Sequence, residues 1–430
     1  MRLLRFRRAL AKSPQTCAQW RVLRAHSQSD YFKLATLFFI QWMGLAVWMV
    51  PLTLVLNAHG YQVIQPYAFA TGALAAVVSP LFFGAMADRH IAPTVVLRWL
   101  SLGAAAALAL ASTAIQLHWS PAVVLGFIQL YSFCSTPTTS LSATIAMSRM
   151  AAPKRQFGPV RALGTIGWVA GCLLISALGA DTTTVAGYCS AGVWLALAGY
   201  SWLLPAVPLP ATTEKLTWHE RLGLDALTLL KNRDHRVIFL SACLLNIPLA
   251  AFYPYTPPHL LDLGFARPAA WMSLAQITEI ITMFSLGALL TRWRLKWILL
   301  CGLGFALIRY GLFTLNSKTW LLGGIILHGC VYSLFFTVAQ IYVNDRVEPA
   351  WRTRAQALLT LMNSGVGYFI GYLGCGWWYR HCGGPGATQW PMFWGALTVA
   401  VAIVLGYFLV AYHGRGVKPD PQHPPNAAVE

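Results

Sequence analysis

Gly84-Ala-Met-Ala-Asp-Arg89 ends one apolar stretch of this sequence, and Gly287-Ala-Leu-Leu-Thr-Arg292 ends another in the second half of the chain. Each copy places a glycine and an arginine at the end of a run long enough to cross a bilayer as a helix. A glycine there permits close approach between helices. The two copies predict a chain built from two halves that are related by a parallel repeat.

The composition indicates a polytopic membrane protein. Of 430 residues, 57% are hydrophobic and 10% are charged, whereas soluble proteins average about 25% charged residues. A net charge of +18 would suggest a nucleic-acid partner in a soluble protein. Here the basic residues lie in short loops between apolar runs, so we interpret them as topology signals and predict no nucleic-acid partner. The nine cysteines contain no C-x-x-C pair, and we predict no metal and no cofactor.

Twelve apolar runs of about 20 residues or more predict transmembrane helices. They cover residues 33–56, 65–87, 94–116, 121–148, 159–179, 184–206, 236–257, 268–291, 295–315, 319–343, 354–377 and 391–413. The longest polar connection, 207–235, separates six runs from six. The sequence therefore predicts an all-α membrane protein. Its parts are a basic N-terminus at 1–32, two pseudo-symmetric six-helix bundles at 33–206 and 236–413, the central loop, and a tail at 414–430.

Basic residues predict the orientation of these spans. If the N-terminus is cytoplasmic, 26 of the 31 Lys and Arg residues lie in cytoplasmic segments and three lie on the opposite face. The positive-inside rule then places both termini in the cytoplasm. The arginine-rich, acid-poor first 30 residues also fit a transit peptide, but we interpret them as a cytoplasmic N-terminus. The two remaining basic residues, Arg161 and Arg309, lie inside predicted spans.

Glu279 is the one acidic residue deep in an apolar run, the stretch from Trp271 to Phe284. An ionised carboxylate in hydrocarbon costs on the order of 3 kcal/mol on insertion scales, so it is kept only where it faces protein or a water-filled cavity. We predict a proton-carrying role, and the alternative is a structural pair with a base such as Arg309. Gln276 shares the helix face of Glu279; it either contacts a substrate or bonds a neighbouring helix.

Several motifs resemble those of known transporters. The first copy of the repeat, with Gly84, Asp88 and Arg89, resembles the signature loop of the major facilitator superfamily, and these residues are expected to take part in gating. Four further stretches resemble bacterial nucleoside:proton symporters of that superfamily, in the same order along the chain. They are Phe157–Trp168, Leu222–Asn232, Met272–Glu279 and Arg354–Asn363.

The resemblance implies a set of site residues. Positions that match the substrate site of those symporters are Arg161, Thr165, Trp168, Gln276 and Glu279, and the acid on the eighth span is implied to couple the proton. Independently, Gly164, Gly167 and Gly171 form a small-residue face that is spaced for close helix packing.

The chain also departs from the family pattern. Ser333 stands in the tenth span where the family pattern has an acid, and Tyr253 stands in the seventh span where that pattern has an amide. We therefore include Tyr253 and the aromatic Tyr332 among the predicted substrate-binding residues. His328, one turn before Tyr332, is predicted as a second titrating group that replaces the missing acid.

The expected function is proton-coupled nucleoside uptake by alternating access in a monomer of the bacterial cytoplasmic membrane. A sugar or polyol transporter of the same fold, or a uniporter, is the alternative. The absence of a G-x-x-x-x-G-K-[ST] segment argues against an ATP-driven pump. The absence of clustered His, Asp and Glu residues near an interface argues against a membrane enzyme. The expected partners are a small-molecule substrate, protons and the lipid bilayer.

Overall fold

The computed structural model describes residues 14–87, 91–150, 153–205 and 217–414. These ranges are helical and contain no β-strand. The helices before the central loop are α1 (Pro14–Met49), α2 (Leu52–Ala58), α3 (Gln65–Ala87), α4 (Pro93–Gln116), α5 (Pro121–Arg149), α6 (Pro153–Ala177) and α7 (Val185–Tyr200).

A short helix of the central loop and eleven further helices follow. They are α8 (Trp218–Leu222), α9 (Arg233–Leu249), α10 (Phe252–Asp262), α11 (Pro268–Met272), α12 (Ala275–Arg292), α13 (Leu295–Thr314), α14 (Lys318–Ile326), α15 (His328–Val331), α16 (Val338–Arg346), α17 (Arg352–Thr360), α18 (Tyr368–His381) and α19 (Trp390–Ala411). Two π-helical turns, Tyr332–Thr337 and Leu361–Gly367, connect α15 to α16 and α17 to α18.

Helices lie at all twelve predicted apolar runs. Within the described ranges, nine helical stretches are long and apolar enough to cross a bilayer. The runs 65–87, 121–148 and 184–206 form helices outside that set, so their crossing of the bilayer stays a prediction. The first helix begins at Pro14, inside the segment that the sequence assigned to the N-terminus. Asp88 and Arg89 of the signature loop lie outside the described residues, and their gating role, with that of Gly84, stays a prediction.

Contacts between helices form two bundles with an interface between them. In the first, α1 packs against α6 and α7, and α4 packs against α5 and α7; in the second, α13 packs against α19, and α9 packs against α18 and α19. Across the interface, α3 contacts α18, and α6 contacts α11. This arrangement brings α6, which carries Arg161, Thr165 and Trp168, next to α12, which carries Gln276 and Glu279. The exact bundle boundaries stay a prediction.

Glycines allow backbones to touch at the predicted close-packing face of α6. A Cβ atom added at Gly167 would overlap the Phe39 carbonyl oxygen, and one at Gly171 would lie 2.8 Å from the Met43 carbonyl oxygen. Both partners belong to α1. These contacts leave no space for any side chain, so α6 and α1 pack backbone to backbone, as the glycine spacing predicts.

Gly329 provides a similar contact beside the predicted proton carrier. A Cβ atom at Gly329 would overlap the backbone nitrogen of Glu279, so Gly329→Ala must push α15 and α12 apart. We expect a loss of about 1–3 kcal/mol in stability, measured as a lower Tm in detergent. Gly287→Ala on α12 is the matched control, because a Cβ atom there meets nothing within 4 Å. Equal Tm values for the two variants would contradict this packing.

The two bundles are joined by hydrogen bonds at the helix ends opposite the chain termini. The Asp181 Oδ1 atom accepts from the Ala269 backbone N–H at 2.7 Å and from the Ser176 hydroxyl at 3.2 Å. The Ser176 Oγ atom also accepts from the Ala270 backbone N–H at 2.9 Å. Asp181 and Ser176 belong to the first bundle, whereas the two amides begin α11 of the second. The pair therefore caps α11 across the interface.

Removing this cap should loosen the start of α11. In Asp181→Ala the Ala269 amide loses its acceptor, which costs about 0.5–2 kcal/mol for a helix cap. We expect hydrogen exchange at Ala269 to become several-fold faster, as measured by mass spectrometry on peptides that contain residues 268–272. Asp181→Asn keeps an acceptor oxygen and should retain most of the protection. Asp345→Ala, which removes an exposed carboxylate, is the control, and no change in exchange in Asp181→Ala would disprove the cap.

Candidate functional site

Arg161 lies on α6 at the interface between the bundles. Its guanidinium carbon lies 3.7 Å from the centroid of the Trp42 ring on α1, a cation–π contact. Gly164 leaves the space for this contact, because a Cβ atom there would lie 2.7 Å from the Trp42 ring and 2.9 Å from an Arg161 nitrogen. The ring holds the guanidinium in one orientation inside the membrane part of the protein.

Glu279 faces Arg161 from α12. Its side chain is only partly buried, and its carboxylate forms no ion pair within 4.0 Å with a described residue. Glu279, Arg161 and the Tyr332 hydroxyl nevertheless lie close enough to interact electrostatically. The structure thus brings together three predicted residues from three different helical segments. The Glu279 carboxylate is not locked in an ion pair and remains available to a proton or a solute.

Aromatic rings line the space beside these groups. The Trp168 ring centroid lies 6.1 Å from that of Trp42 and 5.5 Å from that of Tyr253. The Trp168 Nε1 atom is buried without a hydrogen-bond partner among the described residues. The Tyr253 hydroxyl lies within electrostatic range of Glu279. Trp168 and Tyr253 therefore form a continuous aromatic wall across the interface, which suits a flat, apolar ring of a solute.

Two further predicted residues contribute polar groups. Thr165 and Gln276 are 8% and 5% exposed, and neither side chain forms a hydrogen bond within the described part of the chain. Gln276 lies one turn before Glu279 on the same face. Its amide has both donor and acceptor capacity, and the alternative of a bond to a neighbouring helix is not seen. Both side chains therefore have free hydrogen-bonding capacity for a solute.

His328 lies behind this site and is bonded to a cation. Its Nδ1 atom accepts from the Arg309 guanidinium at 2.8 Å, and its ring stacks on Phe252 at a centroid distance of 4.1 Å. A second proton on His328 would break this bond and place two cations in contact. This contact does not favour the predicted role of His328 as a proton carrier, and that role stays a prediction. Arg309 is likewise not the partner of Glu279 that the sequence left open.

The family profile described as Nucleoside H+ symporter matches residues 29–415. The chain belongs to this family. Its relative YegT from Escherichia coli (strain K12), a putative nucleoside transporter, is 31% identical over 403 residues, covering 88% of this chain and 93% of YegT. Xanthosine permease from the same organism is 24% identical over 403 residues, covering 87% of this chain and 95% of the permease.

Solved structures show the same fold for this symporter family member. The crystal structure of nucleoside transporter NupG matches with a TM-score of 0.79 at 22% identity, covering 89% of this chain and 98% of that one. A bacterial homolog of the human lysosomal transporter Spinster, inward-facing and unoccupied, matches with a TM-score of 0.71 at 14% identity, covering 92% of this chain and 99% of that one. The predicted all-α transporter fold is confirmed.

Family membership confirms that the chain is a transporter rather than an enzyme and that it is a multi-pass membrane protein. The roles of single residues in this symporter stay predictions. Ser333, which stands where the family pattern has an acid, is fully buried, and its hydroxyl has no described partner. It therefore supplies no titratable group to the site.

Sequence reasoning missed two features of the symporter's site. The tenth and eleventh spans contain π-helical turns, a form that often marks functional positions, and the first turn begins at Tyr332. No sequence signal indicated these turns. Phe252, which supports both His328 and Arg309, was also missed. The cost of burying Arg309 was the only signal that pointed toward this cluster.

Proposed function

We propose that the protein is a secondary active transporter that couples nucleoside uptake to proton entry across the cytoplasmic membrane. The observation that carries this proposal is the partly buried, unpaired Glu279 carboxylate facing Arg161 and Tyr332 beside an aromatic wall. Family membership supports it, as does the naming of relatives as xanthosine permease and nucleoside permease NupG. The protein acts as a monomer with both termini in the cytoplasm.

Glu279 supplies the proton step. A carboxylate in the membrane interior is costly when charged and unpaired. When it is ionised, the nearby Arg161 cation offsets part of that cost. When it is protonated, Arg161 no longer balances a nearby negative charge and donates hydrogen bonds to an oxygen of the solute. The proton and the nucleoside therefore each favour binding of the other, which is the reciprocal coupling that symport requires.

The remaining side chains recognise the two parts of a nucleoside. A base is flat and apolar on its faces, which suits the Trp168 and Tyr253 rings at 5.5 Å from each other. A ribose presents hydroxyls, which donate and accept and match the free Thr165 hydroxyl and Gln276 amide. Trp168 belongs to the first bundle and Tyr253 to the second. A bound nucleoside therefore contacts both bundles while they move relative to one another.

Transport in proteoliposomes tests this proposal. With an inward proton gradient, we expect the purified protein to accumulate radiolabelled uridine or adenosine above the external concentration, and a protonophore should abolish the accumulation. Hexoses and polyols serve as competing solutes for the alternative substrate class. Transport of a hexose or polyol with no uptake or exchange of any nucleoside would overturn the proposal.

Ser333 favours one alternative, a nucleoside uniporter. A buried serine in place of an acid removes one site at which a proton could be carried. In a uniporter the proton gradient does not change the final nucleoside concentration inside the proteoliposomes, which only reaches the external concentration. The same proteoliposomes distinguish the two mechanisms, because symport concentrates the nucleoside and uniport does not.

A further inference from the structure

Arg309 is a buried cation without an acidic partner among the described residues. It is 0% exposed on α13. Its guanidinium carbon lies 4.3 Å from the Phe252 ring centroid, 4.7 Å from that of Tyr310 and 5.7 Å from that of Phe313. The Nε atom has no hydrogen-bond partner in the part of the chain that the structure describes. A charge kept at this cost in the membrane interior indicates a function, and the proton step at Glu279 does not use it.

Arg309 has two polar contacts with described side chains: Nη2 donates to the Tyr310 hydroxyl at 3.4 Å, and the shorter contact is with His328. The Arg309 Nη1 to His328 Nδ1 distance is 2.8 Å. A guanidinium has only donors, so the His328 Nδ1 atom must be the unprotonated acceptor. In a neutral imidazole the hydrogen then resides on Nε2. The His328 ring stacks on Phe252 with an interplanar angle of 15°. This packing restrains a 180° flip of the ring, which would exchange the positions of Nδ1 and Nε2.

The Nε2 edge of His328 is directed away from Arg309. Nε2 forms no hydrogen bond with a described residue, and His328 is 7% exposed. Its N–H is therefore a free donor. The Tyr253 ring lies 5.9 Å from the His328 ring, and its hydroxyl is near Glu279. The free donor thus lies at the edge of the site that contains the aromatic wall.

The titratable and charged groups around His328 come from four neighbouring segments. Arg309 and Tyr310 lie on α13, and the Tyr310 hydroxyl donates to the Pro248 carbonyl. Tyr253 faces from α10, and Glu279 lies on α12, against whose backbone Gly329 packs. Tyr368 on α18 lies within electrostatic range of Arg309. Of these groups, only Arg309 bonds the ring, and it can stabilise only the neutral form.

We propose that Arg309 is a positioning residue that fixes His328 as a neutral Nε2–H donor to an acceptor oxygen of the solute. The assignment rests on the proposed function for the identity of that solute, a nucleoside carbonyl or hydroxyl. It separates two tasks within the site. Glu279 exchanges the proton, and His328 keeps the same protonation state throughout, so that recognition does not change while the proton is loaded.

Nitrogen NMR tests the tautomer without any transport assay. Histidine labelled with ¹⁵N in the full-length protein in nanodiscs, with His328→Gln used to assign the signal, should show His328 with a bare Nδ1 and a protonated Nε2 from pH 8 to pH 5. In Arg309→Met the Nδ1 atom loses its donor, so we expect a mixture of the two neutral tautomers in place of the Nε2–H form alone. Double protonation in the wild type, or an unchanged His328 signal in Arg309→Met, would overturn the proposal, whether or not nucleosides are transported.

The KM for uptake provides the second test. In Arg309→Met part of the His328 population takes the Nδ1–H tautomer, whose Nε2 atom cannot donate. The KM for uridine should therefore rise up to about fivefold, since a neutral hydrogen bond is worth about 1 kcal/mol. The double variant Arg309→Met, His328→Gln keeps a side-chain N–H donor and has no tautomers. It should recover most of the affinity; if it does not, His328 is not the group that Arg309 controls.

The replacement of Arg309 by methionine is chosen so that folding is preserved. Exchanging a buried charge for an apolar side chain of similar size is often neutral or stabilising when no opposite charge is left unpaired. Size-exclusion chromatography and Tm of both variants establish that they are folded. If Arg309→Met does not fold, Arg309→Lys provides the test: it keeps the cation and should keep the NMR signature of a neutral His328.

Discussion

Glu279→Gln abolishes proton-driven accumulation of nucleoside and leaves exchange of nucleoside across the membrane largely intact. Glutamine has nearly the shape of a protonated glutamate and retains hydrogen-bonding capacity, but it cannot release a proton. The described spans place no other carboxylate beside Arg161 and Tyr332, and Ser333 cannot replace it. The variant should therefore bind solute as the protonated wild type does, but without coupling to the proton.

The size of the pH effect on uridine affinity follows from the linkage between proton binding and solute binding. Coupling free energies between two ligands are about 1–3 kcal/mol, which corresponds to 5–150-fold in affinity. In the wild type, affinity for uridine should increase by a factor in that range as the pH falls and Glu279 takes up its proton. In Glu279→Gln the affinity should be the same at every pH between 5 and 8. Binding of labelled uridine to purified protein measures both curves.

A matched carboxylate serves as the control. Glu348 is exposed and lies in a connection outside the spans, so Glu348→Gln makes the same chemical change away from the site. It should leave accumulation and its pH dependence unchanged. Full proton-driven accumulation in Glu279→Gln would remove Glu279 from the mechanism and leave the uniport alternative or another titrating group.

Arg161→Met should reduce the affinity for nucleoside on the order of 10–100-fold. The substitution removes a donor to the solute, and hydrogen bonds to charged groups contribute about 1.5–3 kcal/mol. It also removes the cation that offsets the charge of Glu279 and the stack on Trp42 at 3.7 Å. Equilibrium binding of uridine measures the loss, and Arg161→Lys, which keeps the charge but not the planar fork, should recover part of it.

The chain offers a close control for this substitution. Arg98 stacks on Trp202 with its guanidinium carbon 3.3 Å from the ring centroid, but Trp202 is 71% exposed and the pair lies at the periphery. Arg98→Met therefore removes the same type of contact without touching the site. Uridine binding should be unchanged. If Arg98→Met and Arg161→Met weaken binding equally, the effect of Arg161 is a general loss of packing and not recognition.

Much of this fold could be predicted from the sequence because each span carries its own signal. Helices lie at all twelve of the predicted apolar runs, since a segment that lies in lipid must be apolar and must satisfy its backbone internally. Helix interruptions were harder to predict. Proline inside the seventh run accompanies its division into α9 and α10, but the π-helical turns of the tenth and eleventh runs have no comparable marker.

The sequence indicated candidate site residues but not which of them pair. The sequence identified Glu279 as a costly acid and Arg161 and Arg309 as costly bases, because burial of a charge is unfavourable in any arrangement of helices. It did not indicate which base faces the acid. The structure places Arg161 near Glu279 and joins Arg309 to His328 instead, which moves His328 from a proton carrier to a proposed neutral donor.

The sequence by itself determined that the chain crosses a membrane repeatedly, that its charge placement is strongly asymmetric, and that one carboxylate lies deep in an apolar run. These are properties of single segments and of their transfer from water to lipid. Only the tertiary structure decided that α6 meets α12 across the bundle interface, which places Arg161 opposite Glu279. Such a contact depends on how helices distant in the chain pack, and no local pattern of residues specifies it.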